Sequence, residues 1–311
     1  MISIAGSTCT GCGACATVCP RHIPELVSQE SDGSIVRVSP ERAALCMNCG
    51  HCAAVCPTGA ISVVELEMND ITEPESSAVT APQVLAMLRQ RRSIRRYQKR
   101  AVPRAVLDQI VAAVDASPTG TGSFSNGVII VDRNDVMEPL MDRVYAMYTR
   151  LGRTLRIPIL RQMVGLRVGA NAMRMLRRFV MPGVRWYIRW RNEGKGDEIS
   201  RDCPAFMLFF GPEEEPMVED NCTLAAFHAI LMAEALGVGS CFNHLIPPAC
   251  NRDRKIRALL GLSKNERVYT CITLGYPAIR FLRVIPRRCS EVRYLEAAGV
   301  ASDGMRHEPR G

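Results

Sequence analysis

The sequence predicts an α+β protein in two parts: a small cysteine-rich module, then a larger domain in which helices alternate with short strands. Three observations lead there. Two matching cysteine blocks, CTGCGACATVCP at 9–20 and CMNCGHCAAVCP at 46–57, occupy the front of the chain. An acidic, small-residue stretch, EMNDITEPESSAVTAP at 67–82, follows them and reads as a linker. Beyond it, apolar residues recur at helical spacing between short β-branched runs. The expected layout is therefore a module over 1–66, a linker over 67–82, a domain over 83–295 and a tail over 296–311. At 311 residues and 47% hydrophobic composition, a core of that size can be buried.

Each block has the form C-x2-C-x2-C-x3-C-P, and together they use eight of the chain's 14 cysteines. Clustered cysteines in a chain of this size point to metal rather than to a disulfide framework. An iron–sulfur cubane needs four thiolates converging on one cage, and thiolate is the soft ligand its iron prefers. Three cysteines at steps of three let a tight loop wrap a cage, while the fourth leaves in another direction and ligates the other cage. The spacing thus assigns Cys9, Cys12, Cys15 and Cys56 to one 4Fe–4S cluster, and Cys46, Cys49, Cys52 and Cys19 to a second. Pro20 and Pro57 fix the chain direction after each fourth ligand. Structural zinc, which typically uses two C-x-x-C pairs, does not account for the third cysteine or the C-P ending. Gly13, Ala14, Ala16, Gly50 and Ala53 allow close backbone approach and N–H bonds to sulfur, and SDGS at 31–34 reads as a turn between the blocks. The module resembles the bacterial two-cluster ferredoxins over roughly residues 1–65.

In the second part, VLAMLRQRRS (84–93) and PRAVLDQIVAAVDASP (103–118) have helical spacing, the latter with Pro103 near its start. VIIVD (128–132), AFMLFFG (205–211) and VYTCITLGY (268–276) read as buried strands. TLAAFHAILMAEALG (223–237) is apolar almost all round and predicts a buried helix, with His228 a core histidine. No G-x-G-x-x-G follows a strand, which argues against a doubly wound fold. Cys203, Cys222, Cys241, Cys250, Cys271 and Cys289 lack ligand spacing and read as small core hydrophobes.

Four stretches in order, RRSIRRY (91–97), SPTGTGSFSNGVIIV (117–131), ALGVGSCFNHL (235–245) and TLGYPA…RVIPRR (273–288), resemble the nitroreductase family of flavoproteins. The resemblance covers 83 to about 295 apart from an insertion, and implies an FMN-binding α+β domain. It implies phosphate contacts from Arg91, Arg92, Ser93 and Arg95, and further ones from Arg287 and Arg288. Pro118, Thr119, Gly120 and Thr121 match the turn beside the flavin ring. The family's next asparagine is replaced here by Gly122, with Phe124, Ser125 and Asn126 following, so Asn126 is the candidate for that amide contact. Cys241, Phe242 and Asn243 lie in the stretch matching the loop that holds the isoalloxazine, with Leu245 where glycine is common. His244, next to them, is the candidate proton donor.

The net charge is +8, and 35 of the 39 basic residues are arginine. From Arg143 to Asn192 there are twelve arginines and no acidic residue, interleaved with Leu, Ile, Met, Val and both tryptophans. This basic insertion, at about 140–198, reads in three ways: a helical lid whose arginines bind an acidic substrate, a segment docking on anionic lipid, or a surface for a protein partner. The lid is the preferred reading. No nucleic-acid reader motif accompanies the charge. Neither a secretory signal nor an apolar run of membrane-spanning length is visible, which predicts a cytoplasmic protein.

Together these readings predict an FMN-dependent iron–sulfur oxidoreductase. An external donor, a ferredoxin-like carrier or NAD(P)H, would load the two clusters, the clusters would reduce FMN, and FMN would reduce an organic acceptor. The resemblance suggests a nitro compound, a quinone or an activated double bond as acceptor, and a homodimer as the assembly. The alternative is a non-catalytic electron-transfer or redox-sensing component that relays electrons to a partner protein.

Overall fold

The computed structural model describes residues 2–29, 33–64, 66, 68, 71–74, 78–120, 125–286 and 292. The chain divides into Met1–Arg280 and Phe281–Gly311. The described residues of the second unit, Phe281–Pro286 and Val292, are exposed and carry no regular structure.

The cysteine-rich part is built from two equivalent halves. Strand β1 (Ile2–Ile4) leads into the first block, whose third cysteine lies in helix α1 (Ala14–Val18) and whose fourth, Cys19, caps its C-terminus. Strands β2 (Glu25–Gln29) and β3 (Gly33–Arg37) form an antiparallel hairpin, followed by α2 (Pro40–Ala43). Residues 31 and 32 of the expected turn lie outside the described residues. The second block carries α3 (His51–Ala54) and ends in β4 (Ile61–Val63). β4 pairs antiparallel with β1, so the strand after the second block lies against the strand before the first. Ile2, Ile23, Val36, Ile61 and Val63 form the small apolar core, with Cys15 and Cys52 inside it.

The larger part centres on a four-stranded sheet. Helices α4 (Ala81–Gln90) and α5 (Arg104–Asp115) precede β5 (Gly127–Val131). Then come α6 (Asn134–Thr154), α7 (Pro158–Val168), α8 (Ala170–Met175), a π-helical turn (Leu176–Val180) and α9 (Met181–Asn192). Next are β6 (Ala205–Pro212), α10 (Val218–Ala235), β7 (Gly239–Phe242), α11 (Pro247–Arg252), α12 (Arg254–Leu259) and β8 (Glu266–Gly275). The sheet order is β5-β6-β8-β7, with every neighbouring pair antiparallel. Period-two alternation divides β6 between two cores. Phe206 and Leu208 face α6, α9 and α11, whereas Ala205, Met207 and Phe209 face α5 and α10. All five are fully buried, and a buried phenylalanine contributes roughly 1.5–3 kcal/mol by removal from water.

Three expectations change. Gly239–Phe242, expected as a loop, is an edge strand on β8. α10 is not buried all round: Ala225, Ala226, Ala229, Ile230 and Ala233 face the core, while Leu224 and Phe227 are exposed and His228 is only half-buried. The helix can sit close to the sheet because its inner face is mostly alanine. Within the arginine-rich stretch, α6 belongs to the core through Leu140, Met141, Val144 and Tyr148, and α9 enters it through Val184. Between them, residues 158–180 contain no buried side chain. No helix among the described residues is long and apolar enough to cross a membrane.

Candidate cluster and flavin sites

The eight cysteines of the two blocks separate into two hollows. One is lined by Cys9, Cys12, Cys15 and Cys56, together with Ile4, Val36 and Ile61. The other is lined by Cys19, Cys46, Cys49 and Cys52, together with Ile2, Ile23 and Val63. Each hollow thus takes three cysteines from one block and the C-P cysteine from the other, and the β1–β4 pairing is what carries Cys56 back to the first block. This is the grouping that the spacing predicts.

Local backbone geometry repeats between the blocks. Gly13 and Gly50 cap α1 and α3 with φ of 73° and 74°, in the left-handed region that a glycine adopts without cost. Gly11 and Asn48, each one residue before the second cysteine, also have positive φ. Glycine is required at position 11, because a Cβ there would run into the backbone carbonyl of Ser34. The Ile23 amide donates to Cys19 Sγ and the Ala60 amide to Cys56 Sγ, both at 3.3 Å and both four residues after the C-P cysteine. Such bonds stabilise charge on sulfur and help set a cluster's potential.

The thiols of each hollow also act on one another electrostatically. Burial pushes the Cys15 thiol up, the Ala16 amide opposes it, and Cys12 and Cys56 push it further. Burial likewise lifts Cys52 to about 11, with Cys46, Cys49 and Cys19 as the like-charge neighbours. At Cys56 burial is outweighed by the Thr58, Ala60 and Gly59 amides and the Thr58 hydroxyl, which bring the thiol below its ordinary value. Four thiolates facing a common hollow repel one another, and a cationic iron cage between them relieves that repulsion. Among the described residues no three His, Cys, Asp or Glu side chains form a group able to hold a single metal ion. The donor set fits a polynuclear cluster.

The RRSIR segment follows α4 and docks on β7. Ser93 bridges Ser240 in parallel register, and the Ile94 amide donates to the Ser240 carbonyl at 2.9 Å. Gly239 makes room for this: a Cβ there would collide with the Ile94 side chain. Tyr97 ties the segment to β8, donating to the Ile94 carbonyl at 2.7 Å and sharing a 2.8 Å bond with the Thr273 hydroxyl. The result places Arg92 inside the protein, 6% exposed, with Nε and Nη2 lacking a hydrogen-bond partner. A buried guanidinium without a partner among the described residues is costly, so this position suits an anion. Phosphate meets that requirement, with two oxygens for the fork of donors. Arg95 is exposed and Arg91 half-buried. Arg96, beyond the segment, is taken up in an ion pair with the buried Glu198 at 2.8 Å.

The other expected contacts are placed unevenly. Pro118, Thr119 and Gly120 follow α5, and the Gly120 amide donates to Asn221 Oδ1 at 2.7 Å. Asn221 Nδ2 and Thr119 Oγ1 are both buried without a partner, a second pair of unspent polar atoms. Asn221, on the first turn of α10, was not singled out in the sequence, where it looks like one more polar residue before an apolar run. Asn126 is half-buried at the start of β5. Thr121, Gly122, Phe124, Arg287, Arg288 and Cys289 lie outside the described residues.

Beyond β7, Asn243 is buried and its amide is engaged at both ends, donating to the Ile199 carbonyl at 2.6 Å and accepting from the Leu245 amide at 3.0 Å. Its side chain therefore fixes the loop's path. Cys241 is buried, while Phe242 and His244 are exposed and meet edge to face, 6.0 Å between ring centres. The core cysteines behave as expected of small hydrophobes: Cys203, Cys222, Cys241, Cys250 and Cys271 are all buried. Burial lifts Cys222 and Cys250 to about 12.

The two half-sites stand apart within one chain. Arg91 is close enough to Glu234, in the last turn of α10, to oppose the upward push of burial on that carboxyl. Asn221, which holds Gly120, is in the first turn. Thirteen residues of helix separate them, or about 20 Å at 1.5 Å per residue.

Comparison with known proteins agrees with this geometry. Residues 88–276 match the nitroreductase family, and residues 8–60 match the 4Fe-4S dicluster domain. A curated relative, an NADH dehydrogenase from Thermus thermophilus, is 24% identical over 188 residues, which is 60% of this chain and 83% of that protein. A nitroreductase with bound FMN from Bacteroides fragilis superposes with a TM-score of 0.52 at 20% identity, over 69% of this chain and 99% of that one. One from Desulfitobacterium hafniense, also with bound FMN, gives 0.51 at 15% identity over 68% and 97%. The unpaired Arg92, the docked RRSIR segment, the antiparallel sheet and the two thiol-lined hollows therefore lead to one assignment: the chain belongs to the nitroreductase family of FMN oxidoreductases, and carries ahead of that domain a 4Fe–4S dicluster ferredoxin domain.

Proposed function

We propose that this protein takes electrons from a reduced carrier protein at its ferredoxin domain and delivers them, through FMN, to a small organic acceptor such as a nitro compound, a quinone or an activated double bond. The clusters exchange electrons singly and the flavin exchanges one or two, which lets a one-electron supply serve a two-electron reduction. The protein's own part is positional and electrostatic. Cys9, Cys12, Cys15 and Cys56 hold one cluster, and Cys19, Cys46, Cys49 and Cys52 the other. The amides of Ile23 and Ala60 stabilise charge on the two C-P sulfurs. Arg92 receives the flavin phosphate, assisted by Arg91 and Ser93, with Arg287 and Arg288 as further candidates. The exposed His244 is the candidate group for handing a proton to the acceptor.

A homodimer completes this reading. The Thr119–Gly120–Asn221 group and the Arg91–Arg92 group lie at opposite ends of α10, about 20 Å apart along the helix. A flavin at a subunit interface would meet one group from each copy. The apolar side chains exposed on α10 and α4, namely Leu224 and Phe227 with Leu85 and Leu88, are the surface such an interface would cover.

The grouping of eight thiols into two crosswise hollows is the observation that carries the proposal. Anaerobic reconstitution should give about eight irons per chain together with bound flavin. Replacing Cys56 by Ala should abolish the cluster of the first block, and Cys19→Ala that of the second, each leaving one paramagnetic centre on reduction. Loss of the same centre in both variants, or absence of flavin from the loaded protein, defeats it. Reduction of the bound flavin by NADPH alone, in a variant lacking the cluster cysteines, would reassign the donor.

A further inference from the structure

Residues 158–180 form a helical hairpin with an unusual surface. α7 ends at Gly169, whose φ of 83° turns the chain into α8 and the π-helical turn beyond it. None of these 23 residues is buried. Yet the segment is mostly apolar, and Leu166, Ile159, Phe179 and Met163 are 82%, 72%, 68% and 60% exposed. A lid closes by burying its apolar face, and no side chain here has found one.

The polar complement of the hairpin is of one sign. Arg161, Arg167, Arg174, Arg177 and Arg178 are its only charged residues. None of the five makes an ion pair among the described residues, although Arg178 lies over the Phe179 ring at 5.7 Å. Elsewhere in the same arginine-rich stretch, Arg143 and Arg191 do find carboxylates, Asp253 and Asp142. Arg161, Arg174, Arg177 and Arg178 line a groove between α7 and α8, whose remaining walls include Leu166 and Met173. Cationic side chains beside exposed Leu, Ile, Met and Phe match a surface that offers anionic groups above hydrocarbon. A second copy of the hairpin would bring like charges together instead.

We propose that residues 158–180 are a membrane-surface foot, which lays its apolar side chains into the interface of an anionic phospholipid bilayer while its arginines hold lipid phosphates. The protein sits on the bilayer without crossing it, since no described helix is suited to span one. This inference is independent of the route taken by electrons.

Co-sedimentation of the intact protein, with clusters and flavin bound, tests it on vesicles of phosphatidylglycerol mixed with phosphatidylcholine, against phosphatidylcholine alone. Binding is expected to the anionic vesicles, and to weaken as salt is raised. The quadruple variant R161Q/R174Q/R177Q/R178Q should bind on the order of a thousandfold more weakly. L166S/F179S should lose about tenfold. Retained cluster and flavin absorption shows that either variant is folded, and the two-vesicle comparison of the unaltered protein stands without them. Equal binding to both vesicles, no binding to anionic vesicles at low salt, or undiminished binding by the quadruple variant overturns the proposal. So does self-association that covers the hairpin and keeps the protein off the vesicles.

Discussion

Arg92 illustrates how much one side chain decides in this domain. Its segment is held by backbone pairing to β7 and by Tyr97, and the side chain is buried. Two of its nitrogens await acceptors, and a charge-assisted bond to a buried group is worth roughly 1.5–3 kcal/mol. Arg92→Gln should therefore weaken FMN binding by about ten- to a hundredfold, measured by flavin fluorescence on titration of the flavin-depleted protein. Unchanged affinity would show that the phosphate lies elsewhere. The order of arginines in RRSIRRY was visible in the sequence. Which of them is buried was not, because that follows from docking on a strand nearly 150 residues away. Asn221 and the internal engagement of Asn243 were hidden for the same reason: each depends on contacts between distant segments.

At the scale of elements, the legible features were those with strong local periodicity or composition. The three buried strands β5, β6 and β8 follow from short apolar, β-branched runs, and the helices over 84–90 and 104–115 from 3.6-residue spacing. β7 escaped because GSCF is four residues long and begins with a glycine that is there for Ile94, not for strand propensity. α10 misled because alanines count as apolar in sequence yet bury little surface, which leaves the larger Leu224 and Phe227 outside. α12 offers a test of local charge. Its N-cap Asp253 accepts from the Lys255 and Ile256 amides and pairs with Arg143 at 2.8 Å. Burial pushes this carboxyl up, but the amides and the guanidinium outweigh it and hold it below the usual range. A carboxylate lowered in the folded state stabilises at neutral pH, and that contribution fades as pH drops through the lowered value. Asp253→Asn, which keeps a capping oxygen, should cost roughly 0.5–1 kcal/mol near pH 7 through the lost ion pair with Arg143, and nothing once the native carboxyl is protonated. Chemical denaturation at several pH values measures this, and a difference that persists in acid would contradict it.

For the whole molecule, the proposed dimer makes a prediction from the separation of the Arg92 and Asn221 groups along α10. If each flavin draws on two copies, then charge placed on the exposed face of α10 should remove quaternary structure and cofactor together. L224E/F227E is expected to elute as a monomer in light-scattering chromatography and to retain little flavin, with cluster absorption preserved. A dimeric, flavin-loaded variant would rule that interface out. The resemblance suggested a homodimer, but the distance between these two groups was not legible, since no local pattern reports which residues stand about 20 Å apart along a helix. The cluster-binding module, by contrast, was legible from cysteine spacing, and the flavin domain from four stretches that resemble the nitroreductase family.

The exchange of fourth ligands between the two cysteine blocks also bears on how the protein is made. Neither cage can be closed by a nascent chain that has emerged only through its first block, because the first set waits for Cys56 and the second for Cys52. With the proposed ligand sets, both become complete within four residues of each other in the chain, so neither cage can be filled before the end of the first domain has been made.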